Sequence, residues 1–277
     1  MKKYIIVLFV VLSATLTFAQ KKEKIKGSKT VTIEERQVGS FEALVVEDNL
    51  EVRLERGEQA ELKIEADDNL HDIVSFDLSD KILRIYATKQ ATNYKKLTVR
   101  VTYTNDLNLI TSKDESTVTA TQQLLLDAIT IKVRDNSKQF LNVVSKNFIL
   151  QSDDKSKTEL NLKSEIATFE MSKNASLKAL AIVTELKVDM YQKSTATIEG
   201  EATSAIIRLE NNSDFTGNKF AVENVDITTE SNSSGSVNAL KIVIIDAAEK
   251  SEIQLVGAAK IELRKFIDEA KLIKKLK

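Results

Sequence analysis

The chain has 277 residues, 42% hydrophobic and 29% charged. That is enough apolar material for a sizeable core in one large or two ordinary domains, and it excludes a disordered chain. Lys and Arg number 40 against 41 Asp and Glu, a formal charge of −1, so no basic field for nucleic acid and no strong acidic field for a cationic partner is present. There is no Cys, no Trp, no Pro and one His. Those absences remove thiol chemistry, disulfides, Cys- or His-rich metal sites and any Ser-His-Asp triad that does not use His71.

Lys2 and Lys3 precede an apolar run from Tyr4 to Leu12, and small or weakly polar residues lead from there to Phe18 and Ala19. This order of charged, apolar and small-residue regions predicts a signal peptide over 1–19, cleaved after Ala19. A membrane anchor is the alternative, but the run falls short of the ~20 apolar residues a spanning helix needs. With no Cys after the run, lipid modification there is excluded. The protein is therefore expected to be exported, to the periplasm, the outer surface or the medium, with no stable transmembrane span after cleavage. Residues 20–29 are Lys-rich and unpatterned and read as a flexible leader. The remainder, 30–277, reads as a single solenoid domain, with N-terminal strands over 30–106 and regular coils over 107–277.

Alternation predicts strands at Val31–Val38, Leu44–Glu47, Leu50–Leu54, Ala60–Ile64, Ile82–Tyr86 and Leu97–Tyr103, with Gly57 and Asp67-Asp68-Asn69 as turns. Their uneven spacing predicts wider first coils or a cap over the end of a stack. From residue 107 the chain repeats. Taking Ser116, Ser137, Ser156, Ser176, Ser194, Ser213, Ser233, Ser251 and Ala270 as anchors gives a mean spacing of just over 19 residues. Two positions before each anchor every residue is polar, as a turn requires. Six before it the column runs Ile110, Ile131, Leu150, Glu170, Val188, Ile207, Ile227, Ile245, Arg264; five before, only Met171 interrupts an outward polar column. Four after it comes a second apolar column that includes Leu141, Leu160, Leu180, Ile198, Val237 and Leu255, and a looser third one includes Leu124, Val143, Leu162, Ile182 and Leu240.

Apolar, polar, apolar in succession is a half-buried strand, and three short strands per turn predict an all-β right-handed parallel β-helix of about 19 residues per coil. Nine coils at the ~4.8 Å strand spacing make a stack about 43 Å long. The absence of Pro agrees, because inner coils use their backbone N–H groups in the ladder. A leucine-rich repeat lacks support in the spacing of leucines, and an antiparallel sandwich would not need columns that persist through nine turns. Ile261–Leu276 reads as a final coil or an amphipathic capping helix, the cap being preferred over a membrane-surface helix because Glu262, Asp268 and Glu269 dilute the basic face.

Phe41-Glu-Ala-Leu44-Val-Val46, Val52-Arg-Leu54-Glu-Arg-Gly57, Leu83-Arg-Ile85 and Leu97-Thr-Val99-Arg-Val101-Thr-Tyr103, followed by the Ser-centred turns to about Lys260, together resemble the auto-transporter adhesin head GIN domain family. The resemblance implies a parallel β-helix on an exported or surface-associated bacterial protein. The chain departs from that pattern in its turns: Gly-Ser-Gly character survives only near Ser234-Gly235-Ser236, and the Pro expected after Tyr103 is missing.

Asp114, Asp135 and Asp154 fall in consecutive coils, so their carboxylates form a column that a hard cation such as calcium would suit. Lys113, Arg134, Lys155 and Lys157 beside them favour a solvated, charge-balanced turn instead. The same carboxylates as an acid/base pair would make a polysaccharide-active enzyme, but no aromatic platform or second catalytic residue type accompanies them. His71 is expected to be an exposed turn residue, and the Asn-x-Ser sequences at Asn174, Asn211 and Asn232 coincide with turns. No catalytic, cofactor-binding or metal-ligating residue is assigned, and no cofactor is expected. The reading is a non-enzymatic adhesion or cell-envelope module whose partner is an envelope or extracellular glycan or protein, with a divergent polysaccharide-active β-helix enzyme as the alternative.

Overall fold

The computed structural model describes residues 22–275, so the signal segment 1–19 lies outside the described residues. The molecule is nearly all β, a solenoid of about nine turns spaced about 19 residues apart. The coil after Ser116 has three separate strands, Thr117–Ala120, Leu124–Leu125 and Ala128–Val133. In the next coils these merge into 15-residue runs, Lys138–Ser152, Lys157–Met171, Ser176–Met190 and Thr195–Leu209, each paired in parallel with the one before. Along Lys138–Ser152, every second residue is buried until Lys146 and Asn147, which both face outward. The pairing skips Lys146 there, and the chain turns a corner. Ser164, buried at the same corner one coil later, donates through Oγ to the Lys146 or Ile166 carbonyl, both at 3.0 Å.

The coils up to Ser233 close through a tight turn in which two successive non-glycine residues have positive φ, as at Asp135 (55°) and Asn136 (59°), or Asn211 (55°) and Asn212 (65°), while the last two turns have one such residue each, Glu249 and Asp268. The anchor N–H donates across the turn, Ser137 to the Arg134 carbonyl at 3.1 Å, which makes it a type I′ turn. Asn and Asp tolerate this backbone best, and Lys, Gln and Glu at the same positions cost on the order of 1 kcal/mol more. The turns offset that strain by stacking: the Asn136 N–H donates to the Asp154 carbonyl, and Lys155 to the Lys173 carbonyl, both at 3.0 Å. Apart from Ser176, the anchor serines are buried because they sit inside the turn, where Ser137 Oγ donates to the Ser112 carbonyl at 2.8 Å.

The repeat register departs from the sequence reading at the Ser176 coil, and again at the last coil, where Leu263 and not Arg264 aligns with Ile245. Ser156 aligns with Ala175, not with Ser176, since Lys157 pairs with Ser176. The anchor spacing then becomes more regular, and the residues that fitted poorly fall into place: Phe169 and Met171 are buried, while Glu170 faces solvent. By the same one-residue shift Ala179 and Ala181 point inward, and Leu180 and Ile182, read as core, are 50% and 45% exposed. Leu240 also lies outside, at 44%, with Ala239 in its place. In the core, Phe148 and Phe169 on successive coils meet edge to face with centroids 6.0 Å apart.

The order of coils in space is not the order in sequence. Strands Ala43–Val46 and Glu51–Arg56 are sandwiched between Ile82–Ala87 with Leu97–Tyr103 on one side and Leu109–Ser112 with Thr117–Ala120 on the other, all in parallel. The end beyond is capped by antiparallel strands Val31–Gln37, Glu61–Asp67 and Val74–Ser79, so both expectations for this region, extra coils and a cap, are met. The segment read as a flexible leader is tied down from Lys22 onward: Lys24–Lys26 pairs in parallel with Gln90–Thr92. Buried Asp67 accepts the N–H groups of Lys29, Lys95 and Lys96 at 2.8 to 3.1 Å. Burial alone would push its carboxyl up, but those three donors together hold it below the usual range. His71 is not an exposed turn residue. It lies buried in the 3-10 helix Asp68–Ile73, its Nε2 2.8 Å from Thr32 Oγ1, because the helix packs its Leu70, His71 and Ile73 side under the cap.

Of the two alternatives for the C-terminal segment, the structure has the final coil and not the capping helix: Lys260–Phe266 pairs with the second half of Ser234–Ala247, and Lys271–Lys274 pairs with Glu252–Val256.

Candidate binding surface

Alternation along each coil gives every inward residue an outward neighbour, so the outer faces carry ranks of side chains at the strand spacing. On the coils between Thr119 and Glu199 those ranks line two neighbouring grooves. The first, about 910 Å³, is lined by the rank Leu125, Val144, Lys163 and Ile182, in which Lys163 interrupts three apolar residues, and by Lys146 and Glu165. Lys146 pairs with Asp127 at 3.0 Å, and the Asp127 carboxylate, with Glu165 behind it, raises the lysine's pKa. The groove lies where a third strand per coil, Leu124–Leu125, first appears; the coil over 43–56 before it continues after Arg56 into the cap strand Glu61–Asp67, and the segment 82–103 passes on to Leu109–Ser112. The second groove, about 540 Å³, combines Phe140 and Leu180 with Asn142, Asn161, Glu159 and Lys178. Phe140 and Leu180 are 37% and 50% exposed. They are held on continuous strands, so their positions are fixed by the ladder beneath them.

The Asp114, Asp135, Asp154 column is present as the sequence places it, on the turn ridge, and Asp48 extends it by one coil toward the cap, since the Asn49 N–H donates to the Asp114 carbonyl. Partial burial pushes the Asp114 carboxyl up; Lys113 opposes this, and Asp135, Glu47 and Asp48 add to it. Among the described residues no group of three or more His, Asp or Glu is close enough to hold a metal ion. Beyond Asp154 the ridge turns to Lys173, Asn174, Gln192, Lys193, Asn211 and Asn212 around a shallow recess of about 590 Å³.

Near the cap Glu47 is buried between coils. Arg84 grips it through Nε at 2.9 Å and Nη2 at 2.7 Å, and Lys113 adds a contact at 2.9 Å. The Arg84 guanidinium holds the carboxyl below its usual range against the opposing effect of burial, with Lys113 reinforcing it. Arg84 also lies over the Tyr86 ring, 4.4 Å from its centroid. This cluster is internally satisfied and fastens the inverted coil order. Sequence reasoning missed the grooves, because Leu180 and Ile182 were assigned to inner columns and Leu125 and Phe140 to none; a one-residue break in the polar column, at Met171, was the signal that pointed to the shift.

Solved structures share the architecture. A structure described as a "putative adhesin" from Parabacteroides merdae covers 91% of this chain and 99% of its own at 15% identity, TM-score 0.65. A "putative lipid binding protein" from Parabacteroides distasonis covers 92% and 98% at 12% identity, TM-score 0.61, and a second "putative adhesin" from that organism covers 91% and 100% at 17%, TM-score 0.60. At these identities the likeness is one of fold. No curated protein matches. The family model described as "Putative auto-transporter adhesin, head GIN domain" matches residues 40–259, from the first inward strand of the sandwiched coil to the threshold of the last coil, and the chain belongs to that family.

Proposed function

We propose that the protein is an exported, non-enzymatic binding module that acts at the cell surface or in the periplasm, in adhesion or cell-envelope interaction, through the two grooves that contain Leu125 with Ile182 and Phe140 with Leu180. The observation that carries this reading is the set of large apolar side chains, Leu125, Phe140, Leu180 and Ile182, held exposed on a rigid sheet and interleaved with amide and charged groups. Large apolar side chains held exposed at fixed positions are candidates for a partner's footprint, and the polar groups between them, Lys163, Asn161 and Glu159, would set its specificity. Family membership supports an adhesin-like role, and among the described residues no helix is long and apolar enough to cross a membrane.

The test is binding of the protein, and of a Leu180→Glu, Ile182→Glu variant, to a glycan array and to isolated envelope proteins, with a search for released oligosaccharide. Binding that the variant loses, without turnover, is the expected result. Oligosaccharide release would shift the assignment to a polysaccharide-active enzyme, and unchanged binding by the variant would remove the grooves from it. Export is tested by N-terminal sequencing of the envelope or medium fraction, where a start at Gln20 is expected and an intact Met1 would refute signal cleavage.

A further inference from the structure

The two ends of the solenoid are finished differently. At the N-terminal end three antiparallel strands and the 3-10 helix close the core, and Leu62, Ile64, Leu70 and Val74 there are at most 1% exposed. At the C-terminal end, among the described residues, nothing pairs with the outer edges of Lys260–Phe266 or Lys271–Lys274. Ile261, Leu263 and Phe266 align with Val243, Ile245 and Ala247, which are inward and buried. They continue the inner column, yet are 41%, 52% and 38% exposed. What lies open is therefore a cross-section of the core bounded by unpaired strand edges, the surface that every internal coil buries against another coil.

We propose that this end is covered by the same end of a second copy of the chain, in a closed two-fold dimer. The open surface calls for a β edge with an apolar inner rank, and the described chain has one such end, its other end being capped. Like ends meeting give an isologous contact that closes, whereas head-to-tail contact would grow a filament. The edge is also self-complementary. With antiparallel pairing centred on Leu263, Glu262 of one copy stands opposite Arg264 of the other. Both face outward, Glu262 in register with Ile244 and Arg264 bonded to Asp226 at 2.7 Å and Asp246 at 2.5 Å. The pairing with the previous coil skips Arg264, and this bulge brings Phe266 back into the inward phase, so that Ile261 faces Phe266 of the second copy.

Residues 260–275 carry six cationic and three acidic side chains, so two copies meet against net repulsion. Salt should therefore strengthen the association, opposite to its effect on capture of an anionic partner. Sedimentation velocity of the purified protein, from about 1 to about 100 μM at ~0.05 and ~0.5 M salt, reads this directly. A monomer–dimer equilibrium tighter at high salt is expected. Leu263→Glu should weaken it by about two orders of magnitude by burying two unpaired carboxylates. Glu262→Arg should weaken it about tenfold by setting cation against Arg264. Circular dichroism melts confirm that both variants fold; because Leu263 lies half-exposed in the last coil, a shift of only a few degrees is expected. A monomer throughout, a dimer indifferent to both variants, or an open-ended series of larger species would each overturn the proposal.

Discussion

Replacing Ala179 and Leu180 separately by Asp tests the register on which the grooves depend. Ala179 is 7% exposed and stacks between Leu160 and Ile198 in the inner column, whereas Leu180 is 50% exposed between Asn161 and Glu199. A carboxylate at 179 has no partner there and must either ionise in the core or take up a proton at a cost, in a space sized for a methyl group; the loss should exceed ~4 kcal/mol. Full burial of a leucine is worth about 2 kcal/mol, so removing the half-buried Leu180 forfeits about 1 kcal/mol, with a few tenths more from facing Glu199. The difference between adjacent substitutions is thus about 3 kcal/mol, which corresponds to several degrees or more of melting temperature in a protein of this size. Hydrogen-exchange mass spectrometry adds locality. Since each coil leans on its neighbours, Ala179→Asp should accelerate exchange across 157–198, and Leu180→Asp should not. Ile207→Asp and Arg208→Asp, inward and outward one coil later, form the control pair. Equal losses at 179 and 180, or a larger loss at 180, would refute the placement of Ala175 in the turn and with it the outward position of Leu180 and Ile182.

Gly200→Ala should cost about 3 kcal/mol or more in a denaturant melt, because Gly200 has φ 115° and a Cβ would lie 2.1 Å from the Ala181 carbonyl oxygen. Gly235→Ala, whose Cβ would meet the movable Leu209 Cδ1 at 2.7 Å, should cost about 1 kcal/mol. The Asp67 carboxyl titrates lower in the folded than in the unfolded state, so its contribution is complete above the unfolded value and disappears as pH falls through the folded one; Asp67→Asn should destabilise at neutral pH and flatten the acid limb of a pH–stability profile. Asp114 has the opposite sign: its folded carboxyl is raised, its contribution is lost as pH rises through that value, and Asp114→Asn should stabilise at pH 7 by a few tenths of a kcal/mol, an advantage that fades toward about pH 3. Millimolar calcium should leave the wild-type melting temperature unchanged; a rise of several degrees that Asp135→Ala abolishes would instead establish a cation site.

The solenoid was legible in the sequence because its inner column repeats a physical requirement at a fixed interval. A buried Ile, Val or Leu six residues before a turn recurs, and a polar residue two before the anchor recurs with it. The error at Ser176 has a definite origin. Serine is the usual anchor because it fits inside the turn, where Ser116 and Ser137 bond a carbonyl and Ser156, Ser213, Ser233 and Ser251 another hydroxyl; alanine fits without such a bond, and Ala175 stood next to a serine that attracted the alignment. Ala179 and Ala181 made matters worse, since small inward residues beside large outward ones invert the hydrophobic signal that periodicity relies on. The spatial order of the first coils was not legible at all. It rests on pairing between strands far apart in sequence, fixed by contacts such as Arg84 with Glu47, for which no local pattern exists. His71 was misplaced for a related reason: its burial depends on Thr32, almost forty residues away.

The same division between inner and outer ranks governs what the fold allows the surface to do. Inner residues answer to the neighbouring coil, so they are restricted to shapes that stack; outer residues meet solvent and are nearly free to vary, each substitution there costing little unless it opposes a like charge one coil away. Solved structures at 12 to 17% identity share the fold with TM-scores of 0.60 to 0.65, so the ladder forms from widely different sequences. Binding chemistry in such a protein therefore has to be read from its own outward residues, and the substitutions that alter it are those that leave the ladder intact. Leu180 and Ile182 meet both conditions. They are apolar where solvent favours polar residues, and they contribute little to the stack, so burial of the protein's own core does not account for their presence.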